Sequence, residues 1–542
     1  MLRRRGRERS NSSRSSVVGC RPEKSRLIER GIRSRLALAG WPLLLAAPPL
    51  VFGLFRGPAL IDDAHITFRY AENIARGHAF GFNSEPLLGA TAPLYCLLLA
   101  LLRMAGIAPT VAAFALGVTA AALTPVLLWR IGTAAGRPVV GLLGGGLLAL
   151  MPDWWLNSKT GMETTLAGML LSLTILLDLR GWSASSGLAA ALLGLTRPDA
   201  AGLAILLLAK QILVDRRFAR AWRFAAAGLA GLAPWLLYAT YTFGTPLPQS
   251  LAAKRLIHPL PWPEALQRNF GWLAGAGDGS AGMFILFVLW LVGVSAAARA
   301  WREGLPYLIW PAVALLGLSL LQIGPFFWYR IPLLPCVAFG AALGFEALRA
   351  HLCSARLRVA AAASWLLPVA IVLLLIAKNG AWIWNGRNLQ SVNAKEVAMA
   401  DMAREIRERT QAVGRDPASL TVYVGEVGVI GYELPEARII DSAGINSREV
   451  FELRKRDGER LRRENPGSPW FAYPEQSVQW SREVIQTFRP DFIASDSRYL
   501  HLPELAEDPT FRARYEPVQR WSFPNGVSLV LLQRRDGPRS GG

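Results

Sequence analysis

The amino-acid sequence predicts a mainly α-helical protein with about eleven membrane spans and a C-terminal α/β domain, on three observations. Hydrophobic residues make up 52% of the 542 and charged residues only 18%, whereas soluble domains carry about 25% charged. The excess apolar residues lie in uncharged blocks, as membrane spans do. From Asn385 onward the composition turns globular, with 23 Lys/Arg balanced by 23 Asp/Glu in residues 385–542.

The blocks that read as spans are 36–55, 110–129, 138–152, 161–179, 185–196, 199–214, 224–243, 281–298, 305–323, 331–348 and 359–378. Residues 93–105 are apolar but only about 13 long, which suits a re-entrant or interfacial helix better than a span. Charge decides the count. With 93–105 left out, residues 1–35 form a basic cytoplasmic tail. The loops holding Arg130 and Arg137, Arg180, Arg216 to Arg223, Arg299 and Arg302, and Arg349 to Arg358 then also face the cytoplasm, as the positive-inside rule requires. Residues 36–384 become a transmembrane region with a first outer loop at 56–109, and residues 385–542 an extracytoplasmic domain. The net charge of +20 does not indicate nucleic-acid binding: residues 1–35 carry +9, the C-terminal part is neutral, and the rest sits in short basic clusters between spans. Cys20, Cys96, Cys336 and Cys353 form no CxxC pair, so neither a disulfide framework nor a zinc site is implied. The run 36–55 has no cleavage pattern behind it and reads as a first span.

This orientation places every unusual polar cluster on the outer face: Asp62-Asp63, Asp153 to Glu163, Arg197-Pro198-Asp199, Lys254 to His258, and Tyr329-Arg330. Polar groups at a membrane boundary are costly unless solvated or paired. Any one cluster reads as ordinary interfacial charge; five on one face suggest a cavity at the outer interface. Behind Asp62-Asp63, the apolar residues Ile66, Tyr70 and Ile74 recur at helical spacing, the pattern of a helix lying along the membrane surface with carboxylates at its start. Adjacent carboxylates repel and call for a metal, a cation or a shared proton. One suits a general base toward an acceptor hydroxyl, the other a metal ligand or positioner. Helix capping by one Asp leaves the second unexplained. Trp154 and Trp155 suit an aromatic belt better than sugar stacking.

The stretch Asp62-Asp63-Ala64-His65-Ile66-Thr67-Phe68-Arg69-Tyr70-Ala71-Glu72-Asn73, followed by Gly77-His78 and Phe82-Asn83, resembles the first outer loop of the GT-C glycosyltransferase superfamily. Within it, the bacterial arabinofuranosyltransferase-like and protein O-mannosyltransferase-like proteins are the most similar. Weaker matches follow in order at Thr91-Ala92-Pro93-Leu94, Gly161-Met162-Glu163-Thr164 and Leu195-Thr196-Arg197-Pro198-Asp199. They continue at Tyr241 through Lys254, at Arg330 with Leu333-Leu334-Pro335, and at Asp441 through Asn446. The resemblance implies a multi-pass protein of a bacterial-type inner membrane, with a polyprenyl-phosphate sugar as donor and a glycan, lipid or protein acceptor. It makes Asp62 and Asp63 the catalytic candidates, with Asp62 expected to be the base because the first acid of the pair has that role in the relatives. Lys254, Arg330 and Arg197 are expected to bind the donor phosphate. Arg69, Tyr70, Glu163, Asp199 and His258 are expected to support them, although a lone His is more often structural. A divalent cation (Mg2+, Mn2+ or Ca2+) would be held by Asp63 and Glu163. The chain departs from the pattern where relatives carry an acid before a T-N-P-L element: Leu88-Gly89-Ala90 stands there, and Ala92 replaces the Asn.

The C-terminal domain reads as helices over 393–413, 446–464 and 480–487 with strands at 421–424, 492–494 and 527–533. Gly425-Glu426-Val427-Gly428 is too weak to be a phosphate loop. The domain is expected to cover the cavity and contribute to acceptor binding. Two other readings compete with a transferase. A lipid-linked-sugar transporter or flippase would show internal repeats and midplane charges, whereas the charges here gather at one boundary. A non-catalytic assembly protein would not need Asp62, Asp63, Lys254 and Arg330.

Overall fold

The computed structural model describes residues 40–55, 57–257, 260–275, 280–322, 326–355, 357–384, 387–464, 474–497, 499–524 and 526–535. The basic tail 1–35, Cys20, His258 and Arg356 therefore lie outside the described residues. The chain divides into two compact units, Met1–Leu43 and Leu44–Gly542. All that follows concerns the second.

The unit is mostly helical, and its apolar helices make it an integral membrane protein. Among the described residues six helices are long and apolar enough to cross a bilayer: Pro109–Ala134, Phe218–Phe243, Ala281–Ala300, Arg302–Leu320, Phe327–Ser354 and Val359–Lys378. Shorter apolar helices are Gly40–Leu54, Pro93–Met104, Pro138–Leu150, Thr164–Leu179 and Ser183–Thr196. Proline opens several of them at positions whose N–H needs no partner. Where Ala281–Ala300 meets Leu334–Ser354, a Cβ on Gly293 would strike the Gly340 carbonyl, and one on Gly344 the Leu289 carbonyl. Small residues thus let the backbones touch, as membrane helices require where no hydrophobic effect drives them together.

Residues 199–214, expected as one span, are helical throughout but change type along their length. A 3-10 turn (Pro198–Ala200) leads into nine residues of α-helix (Ala201–Ala209) and then a π-helical turn (Lys210–Val214). The π turn brings Lys210 and Gln211 together on Asp178. Lys210 Nζ lies 2.6 Å from Asp178 Oδ2 and 3.4 Å from Asp215 Oδ2, and Gln211 Nε2 donates to Asp178 Oδ1 at 2.6 Å.

The C-terminal part carries a five-stranded sheet in the order β2-β1-β3-β5-β4. Its strands are β1 (Thr421–Val424), β2 (Arg438–Asp441), β3 (Phe492–Asp496), β4 (Tyr515–Ser522) and β5 (Ser528–Arg534). β1 pairs parallel with β2 and β3, while β5 pairs antiparallel with β3 and β4. The sequence reading missed β2 and β4.

The helix Asp62–Ala75 joins the two parts. Ala64, Phe68 and Ala71, at i, i+4 and i+7, enter the core of the membrane helices. Tyr70 enters a second core with Phe80, Phe82, Val427, Val429 and Ile430. Asn83 then satisfies the free edge of β2. Its amide donates to the Ile439 carbonyl at 2.9 Å, and its oxygen accepts from the Ile439 N–H at 3.0 Å. A side-chain amide thereby takes the place of another strand.

Replacing Lys210 by Met leaves buried Asp178 with the Gln211 amide but without its lysine counter-charge, which costs about 3–5 kcal/mol. Thermal unfolding in detergent should show that loss, and the double variant Lys210→Met/Asp178→Asn should recover most of it.

Candidate active site

Two cavities lie between the membrane helices and the sheet. The larger, about 560 Å³, is walled by Gly425, Glu426 and Val427 after β1, by Asp441 at the end of β2 with Ser442 and Ala443 after it, and by Tyr499 after β3. It therefore sits at the carboxyl ends of the parallel strands, the usual ligand position in an open α/β sheet. Its other wall comes from Ile61, Asp62, Asp63, Asp153, Asn157, Lys254, Trp328 and Glu396. The smaller, about 320 Å³, is lined by Ala92, Glu163, Arg197, Asp199, Lys254 and Tyr329, with Leu247, Leu318 and Leu321 supplying apolar surface. Asp63, Ile66, Lys254, Trp328 and Ile445 line both.

The Asp62-Asp63 pair opens the helix Asp62–Ala75. Asp62 Oδ1 accepts the Val429 N–H at 2.8 Å and Oδ2 the Gly428 N–H at 3.2 Å. Only glycine fits at 428, since a Cβ there would collide with the Asp62 carbonyl. Lys254, on the short helix Gln249–Ile257, donates from Nζ to the Tyr329 hydroxyl at 3.2 Å, with the Phe326 and Tyr329 rings about it at 5.4 and 5.6 Å. Arg197 is 4% exposed and held between two acids. Its Nη1 lies 2.9 Å from Glu163 Oε1, its Nη2 3.1 Å from Asp199 Oδ2, and its guanidinium 5.0 Å from the Tyr329 ring.

The other expected residues fall elsewhere. Arg330 lies over the Trp272 ring at 5.3 Å and is not among the described residues that line either cavity. Arg69 is buried and donates to the carbonyls of Phe82, Gly431, Leu434 and Ala437. The Tyr70 hydroxyl donates to the Leu87 carbonyl at 2.9 Å, accepts the Gly89 N–H at 3.0 Å and meets Asn446 Oδ1 at 3.3 Å. Trp154 is fully buried, with Nε1 donating to the Ala121 carbonyl at 3.0 Å, and Trp155 stacks on Phe52. Trp154 is therefore core, neither belt nor sugar platform. Sequence reasoning missed Glu396, Glu426, Tyr499 and the Lys395 that pairs with Glu426. Only the Gly425–Gly428 run hinted at them.

Burial dominates the electrostatics of the larger cavity. It raises Asp62 to about 8, with Glu426 adding to the rise and the Val429 N–H opposing it. Asp63 is raised by burial against the opposing pull of Lys254 and Lys395. Glu396 is raised to about 7 and Glu426 is also raised, burial leading in both. A divalent cation between Asp63 and Glu163 does not fit this arrangement. Glu163 is taken up by Arg197, Asp63 is faced by Lys254 and Lys395, and the described residues include no group of three or more His, Cys, Asp or Glu placed to hold a metal.

A family model described as a domain of unknown function (DUF8728) matches residues 387–538. No curated protein matches the chain. Among solved structures, ArnT from Cupriavidus metallidurans, bound to undecaprenyl phosphate, is similar with a TM-score of 0.54 at 14% identity, over 93% of this chain and 100% of that one. The Archaeoglobus fulgidus oligosaccharyltransferase in complex with Zn and sulfate is similar at 0.53 and 12%, over 90% of this chain and 72% of that one. The arabinofuranosyltransferase AftD from Mycobacteria is similar at 0.50 and 17%, over 93% of this chain and 40% of that one. The chain shares the fold of these three structures.

Arg197→Ala strands Glu163 in a buried position without its partner, at a cost of about 3–5 kcal/mol. Arg197→Ala/Glu163→Gln should recover part of it in the same melting assay.

Proposed function

We propose that this chain is a membrane glycosyltransferase that takes a sugar from a polyprenyl-phosphate lipid and gives it to an extracytoplasmic acceptor hydroxyl. The observation that carries this reading is the position of Lys254 where the two cavities meet. The smaller cavity offers apolar side chains for a prenyl segment and a lysine for its phosphate; the larger offers carboxylates to the acceptor. One of the similar structures, ArnT, is bound to undecaprenyl phosphate, which supports a lipid phosphate as ligand.

The acceptor oxygen attacks the anomeric carbon. The bond from that carbon to the phosphate oxygen breaks, and its electron pair leaves with the polyprenyl phosphate. The acceptor's proton passes to a carboxylate of the Asp62-Asp63 pair. Lys254 stabilises the departing phosphate, and its neutral partner Tyr329 leaves that charge available. Arg197, shared by two acids, shapes the phosphate cavity more than it charges it. No step is assigned to a divalent cation. This reading keeps eleven spans, a cytoplasmic N-terminus and an extracytoplasmic domain at 385–542 in a bacterial-type inner membrane.

Purified full-length protein in lipid nanodiscs should transfer radiolabel from at least one member of a panel of polyprenyl-phosphate pentoses and hexoses. Lys254→Ala should lower the rate about 100-fold or more. Lipid movement without transfer would instead make it a flippase.

The pH profile gives a second check. A base whose carboxyl is raised loses its charge as pH falls through the neutral range, not near the ordinary value of about 4. Asp63 is faced by Lys254 and Lys395 and stands in a group with Asp62, Glu396, Glu426 and Tyr499, so the limb belongs to the group. Transfer should decline between about pH 8 and 6. A rate constant down to about pH 5 would contradict the raised carboxyls.

A further inference from the structure

We infer that Asp63 is the carboxylate that receives the acceptor's proton, and that Asp62 and Arg69 are positioning residues that clamp the helix Gly428–Glu433 over the larger cavity. The first half rests on the transferase reading above; the second does not.

The clamp follows from the length of two helices. Asp62 and Arg69 are seven residues apart on the helix Asp62–Ala75, about two turns or 10.5 Å. The helix Gly428–Glu433 has six residues, a rise of about 9 Å. The two side chains therefore reach its two ends. At one end Asp62 takes the N–H groups of Gly428 and Val429, one on each carboxylate oxygen. At the other, Arg69 gives its donors to the carbonyls of Gly431, Leu434 and Ala437, and its Nε to Phe82. The first N–H groups and last carbonyls of a helix have no partners within it; Asp62 takes two of these N–H groups and Arg69 the Gly431 carbonyl, while Arg407 takes that of Glu433. Glycine at 428 and at 431 permits the approach, since a Cβ at either would meet Asp62 or Phe82. What is clamped is functional wall: Gly425, Glu426 and Val427, just before this helix, line the larger cavity.

The same contacts separate the roles of the two acids. Asp62 has both oxygens engaged by backbone N–H groups and lines the larger cavity only. Asp63 lines both cavities and shares that junction with Lys254. A base for this transfer must stand where the acceptor oxygen meets the anomeric carbon, and therefore at the junction. The step balances there: the proton goes to Asp63, the new bond joins acceptor oxygen to sugar carbon, and the broken bond's electrons leave with the phosphate beside Lys254.

The test uses full-length protein in nanodiscs, with transfer from the same donor panel, undecaprenyl phosphate binding, and hydrogen exchange over residues 428–433. Asp63→Asn should lower kcat about 10³-fold while leaving exchange at Gly428 and Val429 protected. Asp62→Asn keeps one oxygen, which can accept one of those two N–H groups, so it should stay within about tenfold of the native rate. Asp62→Ala should raise exchange at Gly428 and Val429 about tenfold or more. Arg69→Ala should raise exchange across 428–433, and both alanine variants should raise KM more than they lower kcat. Asp62→Asn as inactive as Asp63→Asn, with exchange undisturbed, would make Asp62 the base and overturn the assignment. Unchanged exchange in Asp62→Ala and Arg69→Ala would overturn the clamp. If the native protein transfers no sugar from any donor, the transferase reading fails and the assignment of Asp63 with it, while exchange still decides the clamp.

Discussion

The structure depends on one contact, the docking of the segment that holds Asp62, Arg69 and Asn83 on a helix more than three hundred residues further along the chain. Asp62 meets Gly428 and Val429, Arg69 meets Gly431, Leu434 and Ala437, and Asn83 meets the edge strand at Ile439. Each contact joins a side chain of that segment to backbone groups of the C-terminal part. Buried backbone groups without partners are costly, so the sheet sits correctly only when the segment is in register beneath it. The cavities exist because of that docking, since their walls come from both sides of it.

The two cavities divide the chemistry by charge. On the smaller side Arg197 is matched by Glu163 and Asp199, which leaves Lys254 as the group that answers an anion. Its contacts, a phenol and two aromatic rings, hold a cation without neutralising it. On the larger side carboxylates predominate, and burial keeps several of them above their ordinary range. The two cavities thus differ in electrostatic character across one lysine–aspartate junction.

The membrane helices were legible in the sequence, because hydropathy reports directly on them. The acids and bases of Asp62-Asp63, Glu163, Arg197-Asp199 and Lys254 also stood out, since charge at a membrane boundary needs a reason. What escaped has physical causes. β2 is a four-residue edge strand beginning with an exposed Arg438. Its two buried isoleucines stand between charged Arg438 and Asp441, and β4 is largely exposed, so neither gives a run of alternating apolar residues. The π turn at Lys210–Val214 leaves no mark on periodicity, so the change of helix type within 199–214 did not show. Arg330 has the chemistry of a phosphate ligand, but the chain directs it to Trp272. Glu426 and Lys395 gain meaning only when the sheet is laid over the loop, a long-range event that no local pattern encodes.

The burial of so many acids asks why the fold tolerates them. A carboxyl raised by desolvation disfavours its own charged form, so the folded chain holds protons there that the unfolded chain would release between about pH 4 and 8. Stability from these groups therefore falls as pH rises through that window, the reverse of an ordinary salt-bridged carboxylate. A purely structural interface would have replaced them with apolar residues. Their retention around a cavity, beside a lysine and under a clamp that fixes the wall, is what a site needing a proton acceptor near neutrality requires. The clamp supplies the rigidity that such unfavourable burial needs, and it draws that rigidity from backbone hydrogen bonds, which no substrate can compete away. One acid of the pair can then be committed to architecture, leaving its neighbour to the reaction.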